Sequence, residues 1–160
     1  MANQKLQAYR ALKVLPNNSV DIPNPATLAI SSTTTSNAPT KLIDTTQNFI
    51  EKGIKVGDII YNTTSGIAMS VTAIDSADTL TVTGTAASSD SYEIYASENT
   101  KNLGCVLYVG TAGDLLVNTA GGDTIEFIGV LAGSFIPVQV TRVFRTGQTG
   151  TAATNIVALW

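Results

Sequence analysis

The 160-residue chain is 44% hydrophobic but only 13% charged, with a formal net charge of -3 and no histidine. Without histidine the commonest general base is missing, and so are Ser-His or Cys-His nucleophile pairs and zinc sites of the usual kind. Thr, Ala, Gly, Ser and Val stand in for charge, which favours an all-β protein whose Thr/Ser/Asn surface is easily buried against a neighbour.

The first 25 residues, MANQKLQAYRALKVLPNNSVDIPNP, open with a partial apolar stripe (Leu6, Tyr9, Ala11, Leu12) that suggests a short helix. Pro16, Pro23 and Pro25 then impose extended backbone, so residues 1–25 read as an extended N-terminal arm. Lys5, Arg10 and Lys13 give residues 1–13 a charge of +3 without an acid, whereas the remainder carries six basic and twelve acidic residues. Such an arm can engage an acidic protein surface, but three charges are too few for strong phosphate binding. No uninterrupted apolar run marks a signal peptide, and no segment reaches the length of a membrane span, so a soluble protein is expected.

ATLAISSTTTSNAPT supplies a strand and a Ser/Thr linker. Residues 41–97 then read as an inserted small β module, SH3-like in scale. Asp44 followed by Gln47, with Gly53 beyond, resembles a capped short helix within LIDTTQNFIEKG. Period-two alternation gives strands in KVGDIIYN, IAMSVTAID, LTVTG and SYEIYA, separated by the turns TTSG and SADT and a Ser-rich loop.

Residues 98–160 read as a glycine-punctuated meander. Strands CVLYVG, LLVNT, TIEFIGV and FIPVQVTRVFR are joined at TAGD, AGGD and LAGS, and a Thr/Gly loop leads to NIVALW. Pro137 belongs at a strand start or a sheet edge. The expected fold is therefore all-β: an antiparallel β-sandwich or barrel body from residues 26–40 and 98–160, the arm, and the 41–97 module with its one short helix.

Little in the chain offers chemistry. Gly110, Gly113, Gly121 and Gly122 are spaced as hairpin turns, not as a phosphate cradle. Asp75 with Asp78, and Asp114 with Asp123, flank turns where aspartate bonds its own backbone. Cys105, the single cysteine, lies in an apolar run and reads as a buried thiol. Tyr61, Tyr92 and Tyr95 could form a stacking face for a sugar or a base, although core and sheet packing explains them more cheaply. No catalytic residue, cofactor or metal is expected, and the protein is not read as an enzyme.

Leu107-Tyr108-Val109-Gly110, Gly121-Gly122-Asp123-Thr124, Phe135 to Val140 with Arg142, and Asn155 to Trp160 form a distinctive set, joined by DIPNP at residues 21–25. Together they resemble small structural proteins of tailed bacteriophages. GIKVGDIIYN and VTAIDSADTLTVTG resemble a β module inserted into phage virion proteins, and the loop TGQTGTAATN is longer than the family pattern. The resemblance implies a virion component made in the host cytoplasm. A capsid decoration (cement) protein is the leading expectation, with a neck, tail or fibre-base component as the alternative and a glycan-binding module as a third. Its implied partners are the major capsid protein or other virion proteins and further copies of itself, a trimer favoured, with no membrane and no specific nucleic acid. The arm would lie along the shell as an added strand. Lys5, Tyr9, Arg10, Lys13, Ile22, Pro23, Arg142, Arg145, Leu159 and Trp160 are the residues expected at the assembly interface. Both faces of NIVALW are apolar, which requires cover on two sides and predicts an anchored Trp160.

Overall fold

The structure, a computed structural model, describes residues 8–97, 102–145 and 150–160. It is all-β, and its only helical element among the described residues is one 3-10 turn at Pro25–Thr27. The chain divides into two compact units, Met1–Pro25 with Asn102–Trp160 and Ala26–Lys101. Each unit is built on its own six-stranded sheet with its own apolar core, and every strand pair is antiparallel.

In the first unit the strands are β1 (Ala11–Lys13), β8 (Cys105–Thr111), β9 (Gly113–Thr119), β10 (Thr124–Val130), β11 (Ser134–Val143) and β12 (Thr154–Leu159), in the order β1-β12-β8-β11-β9-β10. The expected strands are present, but they do not form a meander. β8 and β9 are consecutive in sequence yet separated by β11, because β11 serves both. Its first half pairs with β8 (Phe135 opposite Tyr108) and its end with β9 (Val143 opposite Val117). Val140 is paired on both sides, opposite Cys105 of β8 and Thr119 of β9, so the sheet runs on through β11. Pro137 lies where the register shifts, between Ile136 and Val140, and not at a strand start. An irregularity is where a strand tolerates a residue with no N–H.

Inward residues of this sheet, among them Leu107, Val109, Leu115, Val117, Val140, Ile156 and Ala158, form one core with Val14 and Ile22 of the arm. The expected initial helix is absent from the described part of the arm. Ala11–Lys13 is a strand instead, drawn into register with Val157–Leu159 by the unpaired side of β12. Two glycines assigned above to turns do something else. A Cβ at Gly113 would come within 2.5 Å of the Ala153 nitrogen, and one at Gly110 within 2.7 Å of the Asn155 carbonyl oxygen. Both keep room for the segment leading into β12. Gly122, with φ of 95°, does sit in the β9–β10 turn.

The second unit contains β2 (Leu28–Thr33), β3 (Lys41–Ile43), β4 (Ile59–Asn62), β5 (Ile67–Ile74), β6 (Thr79–Val82) and β7 (Ser91–Tyr95), in the order β2-β7-β4-β5-β6-β3. The strand at 28–33, assigned above to the body, pairs with β7 and so belongs to the module. Its inward Ile30 lies in the module core with Ile94. The module therefore runs from Ala26 to Lys101 and not from 41 to 97. Past β2 the chain bridges Ser36 to Ile43, so the two ends of the sheet meet and close a small barrel. Closure leaves few unpaired edges.

The expected helix after Asp44 is a series of turns, and its first residues are β3. Asp44 makes a turn and not a helix cap, accepting from the Thr46 N–H at 2.9 Å, while the Gln47 side chain reaches Ser32 and not Asp44. The following segment is too short for a helix, because the Phe49 N–H donates to the Ala77 carbonyl and its ring enters the core. A fixed long-range contact of this kind outweighs local propensity.

Asp44 is also a latch for the barrel. It is buried, and it accepts hydrogen bonds from the Ser32 hydroxyl of β2, the Tyr92 hydroxyl of β7 (both 2.7 Å) and the Thr46 hydroxyl (2.6 Å). Burial pushes its pKa up, but these donors together outweigh that and hold it below the ordinary carboxylate value. Folding then favours the ionised form, so its contribution is present above the unfolded pKa and is lost as the pH falls below about 4. Asp44→Ala strands the hydroxyls and should destabilise the module by about 3 kcal/mol. Urea titrations followed by circular dichroism should show this loss at pH 7, with a gap between variant and parent that narrows as the pH is lowered below about 4. The emission of Trp160, the sole tryptophan and a residue of the other unit, should be unchanged by the substitution.

Candidate assembly surface

The described interface candidates fall into two groups on the first unit. At one sheet edge the strand preceding Trp160 is flanked by the arm. The Tyr9 N–H donates to the Trp160 carbonyl at 2.7 Å, and the Trp160 N–H donates to the Arg10 carbonyl at 3.0 Å. The indole Nε1–H reaches Asn102 Oδ1 at 3.2 Å, and the ring packs against the core. Trp160 is thus anchored, and Leu159, between Val106 and Ala11 in register, is half-buried. Tyr9, Arg10 and Lys13 stay exposed, with the Arg10 guanidinium 5.7 Å from the Tyr9 ring centre.

The second group holds the arm to β11. Arg142 Nε donates to Asp21 Oδ1 at 2.7 Å and Arg142 Nη1 to the Asn18 carbonyl at 3.2 Å. The Arg145 N–H donates to Asn18 Oδ1 at 3.0 Å, while its side chain stays exposed. The Ile22 N–H donates to the Thr141 carbonyl. Ile22 and Pro23 are buried, so they are core residues of this chain and not a surface offered to another. From Ala11 onward the arm is already a strand of its own sheet and a cover for its own core. Lys5 lies outside the described residues.

Other sequence candidates are internal. Tyr61, Tyr92 and Tyr95 are all buried, so they form no stacking face for a glycan. Tyr61 and Tyr95 meet edge to face at 5.7 Å, and the Tyr95 hydroxyl donates to Glu93. Burial pushes the Cys105 thiol up to about 12, and it donates to the Val140 carbonyl at 3.2 Å. Asp75 pairs with Lys41 at 2.7 Å, and Asp78 accepts from Ser76 and Thr79 within its own turn. No group of three or more His, Cys, Asp or Glu among the described residues could hold a metal ion.

The surface that sequence reasoning missed is the edge strand β10 and the turn after it. Ile128 and Leu131 are each 72% exposed and Ile125 45%, while the exposed Phe135 belongs to β11, its ring 5.4 Å from that of Tyr108 of β8. The surface's signal was present in TIEFIGV, which has apolar residues at adjacent as well as alternate positions, as NIVALW does. Comparison with protein-family models, curated proteins and solved structures returned no match.

Replacing Trp160 with alanine should lower unfolding free energy by about 2 kcal/mol, less than for a fully buried ring. Urea titration followed by far-UV circular dichroism measures it. Arg142→Ala should be milder, about 1 kcal/mol for a partly exposed pair. It should nevertheless raise the rate of limited proteolysis between residues 14 and 25 above that of the parent.

Proposed function

We propose that the chain is a structural component of a tailed-phage virion, most simply a capsid decoration protein. The sequence resemblance is what points to a virion. The observation that carries the assembly part of the reading is the exposed Ile125, Ile128 and Leu131 on the edge strand β10 and its turn, on a chain whose buried titratable groups serve its own turns and strands. Patches of this kind mark contact with other proteins. Because the described arm is committed to its own body, contact with the shell falls to the sheet edges and turns and not to a strand lent by the arm.

On this reading the protein has no reaction to perform and needs no cofactor, and its partners are the shell protein and its own copies. A neck or tail position would use the same surface in fewer copies. Quantitative mass spectrometry of purified particles tests the proposal. Abundance comparable with the major shell protein is expected, low copy number transfers the protein to the neck or tail, and absence from the particle overturns the reading.

A further inference from the structure

Among the described residues the first unit's sheet ends in two edge strands of different character. β10 is terminal on one side and β1 on the other. β10 and the turn after it, residues 124–133, contain one charge, Glu126, and no lysine or proline. Charged side chains, proline and bulges are the usual guards of an exposed edge; β10 has a register shift between Phe127 and Val130, which leaves its regular stretch, Thr124–Phe127, open to pairing. Ile125, Ile128 and Leu131 together expose on the order of 300 Å² of apolar surface. A stable interface takes roughly 800 Å² per partner, so the strand's backbone and the residues beside it must contribute the rest.

The opposite edge is basic. Tyr9 is 81% exposed, Arg10 and Lys13 are exposed beside it, and residues 8–20 contain no acid. Neither Lys13 nor Glu126 has an ion-pair partner among the described residues.

We infer that copies of this chain associate head to tail, the β10 edge of one against the Tyr9–Lys13 edge of the next. Charge selects this arrangement over a twofold pairing of β10 with itself. The twofold form would put two Glu126 carboxylates on one short ladder without a cation, and like charges on neighbouring strands are destabilising. Head to tail, Glu126 faces Arg10 and Lys13, and the Tyr9 ring meets the apolar ridge. Because the two patches differ, the contact is heterologous, and it closes into a ring where the rotation between copies allows. The inference concerns only contacts between copies, so it stands whether or not the protein proves to be part of a virion.

Native mass spectrometry and light scattering on the full chain at micromolar concentration test it. The parent should be oligomeric. Glu126→Lys, or Arg10→Glu with Lys13→Glu, should weaken association about tenfold or more, and the three changes together should restore it, since the charges are exchanged across one contact. A chain blocked at one edge (Ile128→Glu, Leu131→Glu) mixed with one blocked at the other (Tyr9→Glu, Lys13→Glu) should stop at dimers. Trp160 emission verifies that each variant keeps the fold of this unit. A monomeric parent overturns the inference. Association untouched by the Tyr9 and Lys13 changes overturns it equally, because that result means β10 pairs with itself.

Discussion

The first unit depends on the placement of β12 between β8 and β1. A strand with partners on both sides has both sets of backbone groups satisfied, and Ile156 and Ala158 then project into the core without leaving a polar group unpaired. That position forces two further features. Gly110 and Gly113 must lack side chains so that residues 152–155 can enter alongside β8 and β9. The arm must also come back to β12, because its outer side would otherwise be an open edge. Three ladder pairs alone would hold Ala11–Lys13 poorly, and the burial of Val14, Val20 and Ile22 beyond them supplies the rest. Each buried aliphatic side chain of this size contributes about 2 kcal/mol, enough to offset the ordering of the residues around it.

The second unit solves a different problem. A barrel of some 75 residues has a small core, and its connections are rich in Ser, Thr and Asp. Three buried carboxylates, Asp44, Asp58 and Asp90, fasten those connections. Asp58 accepts from the N–H groups of Lys55 and Ser97, and Asp90 from the Ala87 N–H and the Asn62 amide. None has an ion-pair partner among the described residues; hydroxyls, amides and backbone donors serve instead. Buried charges are tolerated when hydrogen bonds satisfy them, and such satisfied groups specify one arrangement of the loops they join.

Strand existence was legible in the sequence wherever side chains alternated between polar and apolar, as in Val71–Ile74 and Leu80–Val82, and wherever Gly and Asp marked the turns. Partnership between strands was not. Nothing in ATLAIS tells whether Ile30 will pack beside Ile94 of the module or beside Val109 of the body, since either is an equally apolar neighbour. The order β8-β11-β9 was likewise hidden, because it rests on a register shift around Pro137 that brings one strand to two partners in turn. The helix expected after Asp44 failed for a related reason. Asp44 does bond the backbone ahead of it, but in a turn, and the long-range hold on Phe49 has no local signature. The candidate surface suffered most, because exposure follows from strand order.

NIVALW and TIEFIGV carry one and the same pattern, apolar side chains on both faces of a strand, and the pattern demands cover on both. For the first, the demand is largely met inside the chain: β12 is central, its inward face is core and its outward Val157 and Leu159 are half-covered. For the second it is not met, because β10 is terminal and only Phe127 and Val130 are partly buried. Two identical local statements thus have opposite consequences, one for folding and one for association. What decides between them is position in the sheet. A terminal tryptophan looked like the assembly element, yet it is the closure of the fold, and the unsatisfied strand lies thirty residues earlier.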